Sequence, residues 1–280
     1  MKVFITGIRG FLGSNLAGAL EARGHEVIGS SRDGLNAVRI HLGEPVDSAA
    51  FEGADTIVHC AHDFRPGAME RNVEGARLLF DAGKGRHRIF VSSHSAREDA
   101  VGEYGISKYR IERIFLAGGL AGAETVVRPG LVIGSGGLFG RTLRTIRNLR
   151  IVPLVDGGRD PAPVLAIADF CEAMVNLIES GRRSAYNLFN AALPSMREMV
   201  DTVLRIEGRR ALVMPLPYGL TLAAVKAAGR LNVPLPFNVE SLRTLRLNRR
   251  PVHESDLLKL LSREANFEDA IARALGMMRG

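Results

Sequence analysis

The first thirteen residues, MKVFITGIRGFLG, constrain the fold more than any other stretch of the chain. Residues 2–6 form a short apolar run typical of a buried strand, and residues 11–24 have the apolar spacing of a helix that ends in glycine. Gly7, Gly10 and Gly13 lie where these two elements join. A strand, a glycine turn and a helix form the phosphate-binding turn of dinucleotide folds, because glycines allow a tight turn and a close backbone approach. The opening therefore predicts a dinucleotide site at the N-terminus of this helix.

Apolar runs of strand length alternate with amphipathic runs of helix length along the first part of the chain. This alternation predicts an α/β fold, a Rossmann-type doubly wound parallel sheet, with a smaller, mostly helical C-terminal substrate-binding part. We assign residues 1–190 to the dinucleotide-binding domain and 191–280 to the substrate-binding part, with 135–165 crossing between them. The stretches 130–140 and 153–163 are predicted as loops. Predicted strands are 2–6, 25–30, 37–41, 55–61, 88–93, 124–130 and 185–191, and predicted helices are 11–24, 67–84, 103–119 and 167–180.

Composition excludes several classes of protein. The 280 residues are 46% apolar, and no apolar run reaches the ~18 residues of a membrane span, so we expect a cytoplasmic protein without a membrane partner. Cys60 and Cys171 have no zinc-ligand spacing, and we predict no metal site. The net charge of +7 comes from arginines spread along the chain, which argues against nucleic acid as a partner. The arginines of 141–150 form a basic face that is either solvated or meets substrate phosphates.

A tyrosine and a lysine four residues apart, Tyr104 and Lys108, stand in the predicted helix 103–119. This spacing places both side chains on one helix face. A neighbouring ammonium favours the phenolate, so we expect Lys108 to lower the pKa of Tyr104 from its usual value of about 10. The tyrosine could then exchange a proton with a substrate hydroxyl or carbonyl, while a nicotinamide carries the hydride.

With Thr6 the glycine turn reads TGIRGFLG, and together with YGISK it resembles the extended short-chain dehydrogenase/reductases, the NAD-dependent epimerases and dehydratases. The likeness extends to about residue 190. It implies Tyr104, Lys108 and Ser93 as catalytic residues; His94 or Ser95 replaces Ser93 if the register shifts. The turn and the resemblance together imply cofactor contacts at Gly7, Arg9, Gly10, Phe11, Leu12, Ser31, Arg32, Cys60, Ala61, His62, Asn72, Lys108 and Pro129.

The end of the second strand indicates which nicotinamide dinucleotide binds. An acidic residue there favours NAD and a basic residue favours NADP. The acidic position holds Ser31, followed by Arg32, and Arg9 in the glycine turn could also reach a 2′-phosphate. Asp33 comes one step later, in a predicted turn. We therefore predict NADP rather than NAD.

Three functions remain open at this point. The first is an oxidoreductase or epimerase acting at a hydroxyl or carbonyl carbon, with a nucleotide sugar as the substrate that the resemblance implies. The second is an NADP-dependent reductase of a small ketone or aldehyde. The third is a non-enzymatic NADP-binding redox sensor, which would not need the Tyr104–Lys108 pair. The resemblance also implies a homodimer.

Overall fold

The structure is a computed structural model that describes residues 1–35, 37–117, 124–147, 149–230, 239–247, 252–263 and 266–277. Its strands are β1 (Lys2–Thr6), β2 (Glu26–Ser31), β3 (Val38–Arg39), β4 (Thr56–His59), β5 (His87–Val91), β6 (Glu124–Pro129), β7 (Leu131–Ile133), β8 (Ile151–Val155), β9 (Val164–Ala166), β10 (Ala185–Leu188) and β11 (Leu212–Leu216). Its helices are α1 (Phe11–Ala22), α2 (Met69–Ala82), α3 (Glu103–Ala117), α4 (Gly137–Arg147), α5 (Ile167–Ser180), α6 (Met196–Ile206), α7 (Tyr218–Arg230), α8 (Val239–Leu247) and α9 (Phe267–Met277).

Seven strands form the central sheet in the order β10-β6-β5-β4-β1-β2-β3. Every neighbouring pair in this sheet is parallel. The strand order reverses between β1 and β4, so the two connections leaving these strands run to opposite sides and open a crevice at the carboxyl ends. The predicted Rossmann-type doubly wound sheet is confirmed.

Both faces of the sheet are covered, which explains why its strands are continuously apolar. Val3 and Ile5 of β1 pack in one buried cluster with Leu16 of α1 and Phe170 of α5. Phe4, on the opposite side of the same strand, packs in a second cluster with residues of α2 and α3. A strand buried on both faces has no polar positions to alternate with its apolar ones.

A third buried cluster lies outside the central sheet. It joins α4, α6 and α9 to the two-stranded pairs β7–β9 and β8–β11. The predicted loop at 130–140 is therefore wrong in part, since this stretch contains β7 and the start of α4. The predicted loop at 153–163 begins inside β8, and the C-terminal part contains β11. These short strands were missed because each pairs with a strand distant in sequence, so no local pattern marks them.

Neither a membrane span nor a metal site is found in the described part of the chain. No helix there is long and apolar enough to cross a bilayer. In the same residues no group of three or more His, Cys, Asp or Glu side chains is placed to hold a metal ion.

Candidate active site

The glycine turn after β1 is the first wall of the site, and its backbone needs glycine at two positions. Gly7 has a φ of +67°, and a Cβ there would lie 2.9 Å from the Cα of Ala61. A Cβ on Gly13 would lie 2.4 Å from the carbonyl oxygen of Gly7. Gly10 donates its N–H to the same oxygen at 2.8 Å. Gly10 has no side chain to cap α1, so the N-terminus of the helix faces the crevice with its backbone donors.

The ring of Phe11 packs against the glycine-rich segment between β7 and α4. Cβ atoms built on Gly134 and Gly136 would each lie 2.5 Å from ring atoms of Phe11. The glycine-rich segment between β7 and α4 therefore passes directly over Phe11 and lies next to the phosphate turn. Leu12 packs on the core between the sheet and α5. The packing of Phe11 explains the glycines at 134 and 136, which the sequence alone predicts only as part of a loop.

The second side of the site is the segment after β4, residues 60–62, and the Thr6 hydroxyl joins it to the glycine turn by hydrogen bonds. The Thr6 hydroxyl is hydrogen-bonded to Nδ1 of His59 at 2.7 Å and accepts the N–H of Ala61 at 3.3 Å. Burial lowers the pKa of His59 to about 3, so this histidine is neutral and serves packing. Burial raises the pKa of the half-buried Cys60 thiol to about 12. Ala61, with its chain neighbours Cys60 and His62, lies beside Gly7.

The loop from Ala61 to Gly67 is fixed by Asn72 of α2. The Asn72 amide accepts the N–H of Asp63 and donates to its carbonyl, both at 2.8 Å. The Asp63 carboxylate forms ion pairs with Arg65 at 2.6 Å and Arg71 at 2.8 Å. Hydrogen bonds from Arg65 hold the pKa of Asp63 well below its usual range. Both polar atoms of the Asn72 side chain are engaged by the loop, so its predicted contact with a cofactor would be indirect.

Tyr104 and Lys108 of α3 lie where the sequence predicts them, one helical turn apart. The Lys108 ammonium donates to the carbonyl of Val91 at 2.8 Å and lies 4.8 Å from the ring centroid of Phe90. It is 5.9 Å from the ring centroid of Tyr104. Lys108 is only 3% exposed, and this burial lowers its pKa to about 8.

The pKa of Tyr104 moves in the direction opposite to the one that the sequence analysis expects. Burial of the hydroxyl raises this pKa, and a hydrogen bond with Ser93 acts in the lowering direction without reversing the shift. The ammonium of Lys108 donates to the carbonyl of Val91 and does not offset the effect of burial on Tyr104. Tyr104 nevertheless keeps 36% of its surface exposed, which makes the residue accessible from the crevice.

Ser93 is the serine that the structure places beside Tyr104. Ser92 points to the other side of the sheet end and donates to Glu112, which also pairs with Arg128. His94 is 5% exposed and packs edge-on against Phe189. The His94 N–H donates at 2.9 Å to the carbonyl of Pro129, which brings the end of β6 next to Ser93.

Asp33 is the residue of this region that the sequence analysis underestimated. It forms an ion pair with Arg9 and accepts the Ser31 hydroxyl at 2.8 Å. These contacts, with that of Ser31 largest, lower the pKa of Asp33 to about 2. Arg32 is exposed beside them. Asp33 accepts the N–H of Leu35 at 3.3 Å, the contact that an aspartate in a turn commonly makes with the backbone two residues later. This turn directs the carboxylate of Asp33 back towards β2, so the aspartate in the predicted turn was the sequence feature that could have indicated its role.

The arginines of the predicted basic face do not act as one surface. Arg147 is ion-paired with Glu207, whose side chain is only 6% exposed, and Arg144 donates to the carbonyl of Ser135 at 3.2 Å. Arg141 and Arg150 are exposed. Arg147 is therefore neutralised by Glu207, whereas the hydrogen bond of Arg144 to a neutral carbonyl leaves the charge of that arginine in place.

A doubly wound parallel sheet with a glycine turn after its first strand defines a dinucleotide-binding Rossmann protein. The chain matches the model of the NAD dependent epimerase/dehydratase family over residues 3–192, and it belongs to this family. It is 26% identical over 263 residues to 4-hydroxy-2-methyl-3-oxo-4-farnesyl-3,4-dihydroquinoline-1-oxide ketoreductase from Stigmatella aurantiaca, covering 80% of this chain and 78% of the relative.

Solved structures share the fold across the whole chain. MoeE5 in complex with UDP-glucose and NAD aligns with a TM-score of 0.76 and 18% identity, covering 100% of this chain and 99% of that one. The human epimerase family protein SDR39U1 with NADPH aligns with a TM-score of 0.68 and 21% identity, covering 99% of each chain. Proteins of this fold thus bind NAD in one case and NADPH in another.

Proposed function

We propose that this protein is an NADP-dependent reductase of a ketone or aldehyde, with Tyr104 as the proton donor. The observation that carries the proposal is the arrangement of Ser93, Tyr104 and Lys108 at the carboxyl edge of the sheet, beside the glycine turn. The backbone fits a dinucleotide, because Gly7 and Gly13 leave no room for a Cβ and the N-terminus of α1 faces the same crevice. When bound, the nicotinamide supplies the hydride.

Each residue of the site has a defined part in this proposal. Ser93 and Tyr104 hold the carbonyl oxygen of the substrate, and Tyr104 transfers its proton to that oxygen as the carbon is reduced. The phenolate then regains a proton from solvent, so one alcohol forms for each ketone consumed. Lys108 holds the nicotinamide ribose. Since the pKa of Tyr104 is raised, the phenol keeps its proton at neutral pH, which is the state that reduction requires.

Reduction of a free ketone is favoured over epimerisation of a nucleotide sugar by two observations. Arg147 is ion-paired with Glu207, which neutralises one of the four arginines of the basic face that a diphosphate would meet. The relative from Stigmatella aurantiaca is a ketoreductase by name. The redox-sensor alternative leaves Ser93, Tyr104 and Lys108 without a purpose.

The C-terminal part is proposed to complete the substrate cleft. A Cβ on Gly102, two residues before Tyr104, would lie 3.1 Å from the Thr244 hydroxyl of α8. Arg97 donates to the carbonyl of Leu247 at 3.1 Å. These contacts place α8 beside the segment that leads into Tyr104, which supports a role of residues 191–280 in binding substrate. The proposed division keeps residues 1–190 as the cofactor-binding domain, with 135–165 crossing to the substrate-binding part, and the cluster of α4, α6 and α9 supports this crossing. The cytoplasmic location and the homodimer remain predictions.

The choice of cofactor is tested by titration of the purified, nucleotide-free protein with NADPH and NADH by calorimetry. We expect NADPH to bind more tightly, because Arg32 and Arg9 can both meet its 2′-phosphate. Replacing Arg32 by alanine should weaken NADPH binding about tenfold or more while changing NADH binding little, since a charge-assisted contact contributes on the order of 1.5–3 kcal/mol.

Asp33→Asn is the matched partner of this variant. Asp33 holds Arg9 and Ser31 in the free protein, so removal of its charge should strengthen NADPH binding and leave NADH binding unchanged or weaker. Equal losses of both nucleotides in Arg32→Ala would remove Arg32 from the 2′-phosphate site. Tighter binding of NADH than of NADPH by the unaltered protein would assign NAD as the cofactor, with Asp33 on the ribose hydroxyls.

A further inference from the structure

An exposed aromatic side chain stands at the mouth of the crevice. Phe64, in the loop after β4, is 75% exposed. Its ring stacks on the ring of Tyr104 with centroids 5.6 Å apart and planes inclined by 21°. His62 meets both rings edge-on, at centroid distances of 4.8 Å to Phe64 and 5.0 Å to Tyr104. We refer to these three rings as the ring wall.

The exposure of Phe64 is built into the fold rather than a result of a loose loop. The residue before it, Asp63, is held through its backbone by Asn72 and through its carboxylate by Arg65 and Arg71. At the other end of the loop, Gly67 donates its N–H to Glu103 at 3.0 Å. Both sides of Phe64 are thus anchored, one of them to the residue that precedes Tyr104. An exposed apolar ring that is held beside Tyr104 offers a ligand a face on which to stack.

The ring wall is uncharged at neutral pH. Burial is the largest cause that lowers the pKa of His62 to about 2, and the nearby charge of Lys108 acts in the same direction. His62 therefore stays a neutral imidazole. Arg65 is close in sequence, but its guanidinium is taken by Asp63. A phosphate or carboxylate gains nothing from such a wall, whereas a flat apolar ring gains contact area and offset stacking.

We propose that the ring wall binds the planar aromatic portion of an aromatic ketone, with the carbonyl directed to Tyr104 and Ser93. This inference rests on the proposed reductase function and narrows its substrate to one chemical class. Phe64 contributes affinity, and Tyr104 contributes both the inner ring of the wall and the proton. A carbonyl attached to or fused with the stacked ring would then lie at the inner end of the wall, where the tyrosine hydroxyl stands.

Kinetics on a matched pair of ketones test the inference. The pair is 1-tetralone, a flat aromatic bicyclic ketone, and 1-decalone, its saturated counterpart, with the nicotinamide dinucleotide that the calorimetry selects. We expect the unaltered protein to prefer 1-tetralone in kcat/KM. Phe64→Leu should lower kcat/KM for 1-tetralone about tenfold, mainly through KM, and leave 1-decalone nearly unchanged. Phe64→Tyr keeps the ring and should retain the preference.

Fluorescence gives a second test that needs no turnover. The chain contains no tryptophan, so Phe64→Trp would introduce the sole indole while keeping an aromatic ring in the wall. Added 1-tetralone should quench this emission, and 1-decalone should not. The control is Leu212→Trp, at a 64% exposed position on β11, which we expect to show only the collisional quenching of a free indole.

The possible outcomes separate this inference from the proposed function. Failure of both NADPH and NADH to bind refutes the function itself. A protein that binds cofactor and reduces ketones, but shows the same preference in Phe64→Leu as in the unaltered chain, refutes the ring wall alone. Binding of cofactor without any quenching of Phe64→Trp by 1-tetralone also refutes the ring wall alone. Turnover of UDP-glucose in place of either ketone refutes the proposed reductase function, and the ring wall with it.

Discussion

Tyr104→Phe is expected to lower kcat for ketone reduction by about 10²–10⁴-fold while leaving cofactor binding largely intact. The substitution removes one oxygen atom, and with it the proton that is transferred to the substrate oxygen in the mechanism proposed here. The ring that stacks on Phe64 remains. Single-turnover reduction by pre-bound cofactor measures the effect on the chemical step, and calorimetry on the same variant measures cofactor affinity.

Tyr109→Phe is the matched control for this variant. Tyr109 stands on the same helix, one residue after Lys108, and the substitution again removes a single phenolic oxygen. We expect its turnover to stay within a few-fold of that of the unaltered protein. Unchanged turnover in Tyr104→Phe would remove Tyr104 from the proton transfer. An equal loss in both variants would indicate damage to α3 instead of loss of the acid.

The raised pKa of Tyr104 also predicts how the rate of ketone reduction changes with pH. Burial raises the pKa of Tyr104, so the phenol remains protonated through the neutral range and loses its proton only at alkaline pH. Reduction, which consumes that proton, should therefore hold a steady rate below about pH 8, where Lys108 begins to lose its proton, and decline further at the higher pH at which the tyrosine ionises. A rate that instead rises from neutral to alkaline pH would mean that the phenolate is the active form, as alcohol oxidation requires.

The sequence was sufficient to predict those elements whose structure is determined by neighbouring residues. The strand, glycine turn and helix at residues 2–24 follow from short-range sterics and apolar spacing, and α5 occupies residues 167–180 as predicted. Tyr104 and Lys108 were found because a spacing of four residues on a helix has one geometric outcome.

The parts that were missed depend on contacts between distant segments. The aromatic role of Phe64 exists only because the loop after β4 meets α3, and no spacing rule connects residue 64 with residue 104. Asp33 lies one residue beyond the positions considered for contact with the cofactor, so the sequence gives it no role there. Its side chain nevertheless turns back to Ser31 and Arg9. The direction of the Tyr104 pKa was wrong because sequence gives the neighbour, Lys108, but not the burial or the carbonyl that orients the ammonium.

Gly13→Ala is expected to abolish measurable binding of NADPH and NADH and to destabilise the protein by about 1–3 kcal/mol. An added Cβ would lie 2.4 Å from the carbonyl oxygen of Gly7 and 3.0 Å from the Cα of Ile8. Both neighbours are backbone atoms, so no side-chain rotation can relieve the overlap. The turn must move away from α1, and that movement displaces the N–H groups that face the phosphates.

Gly18→Ala, on the same helix, is the matched control for Gly13→Ala. Gly18 is exposed, and a Cβ there meets no atom within 4 Å, so alanine should stabilise α1 by about 0.5–1 kcal/mol through its higher helix propensity. Calorimetric titration and thermal unfolding of both variants provide the comparison. Normal nucleotide binding in Gly13→Ala would show that the turn tolerates a side chain, and the phosphates would then have to bind elsewhere. Loss of binding in both variants would mean that α1, and not the close approach at Gly13, is the sensitive element.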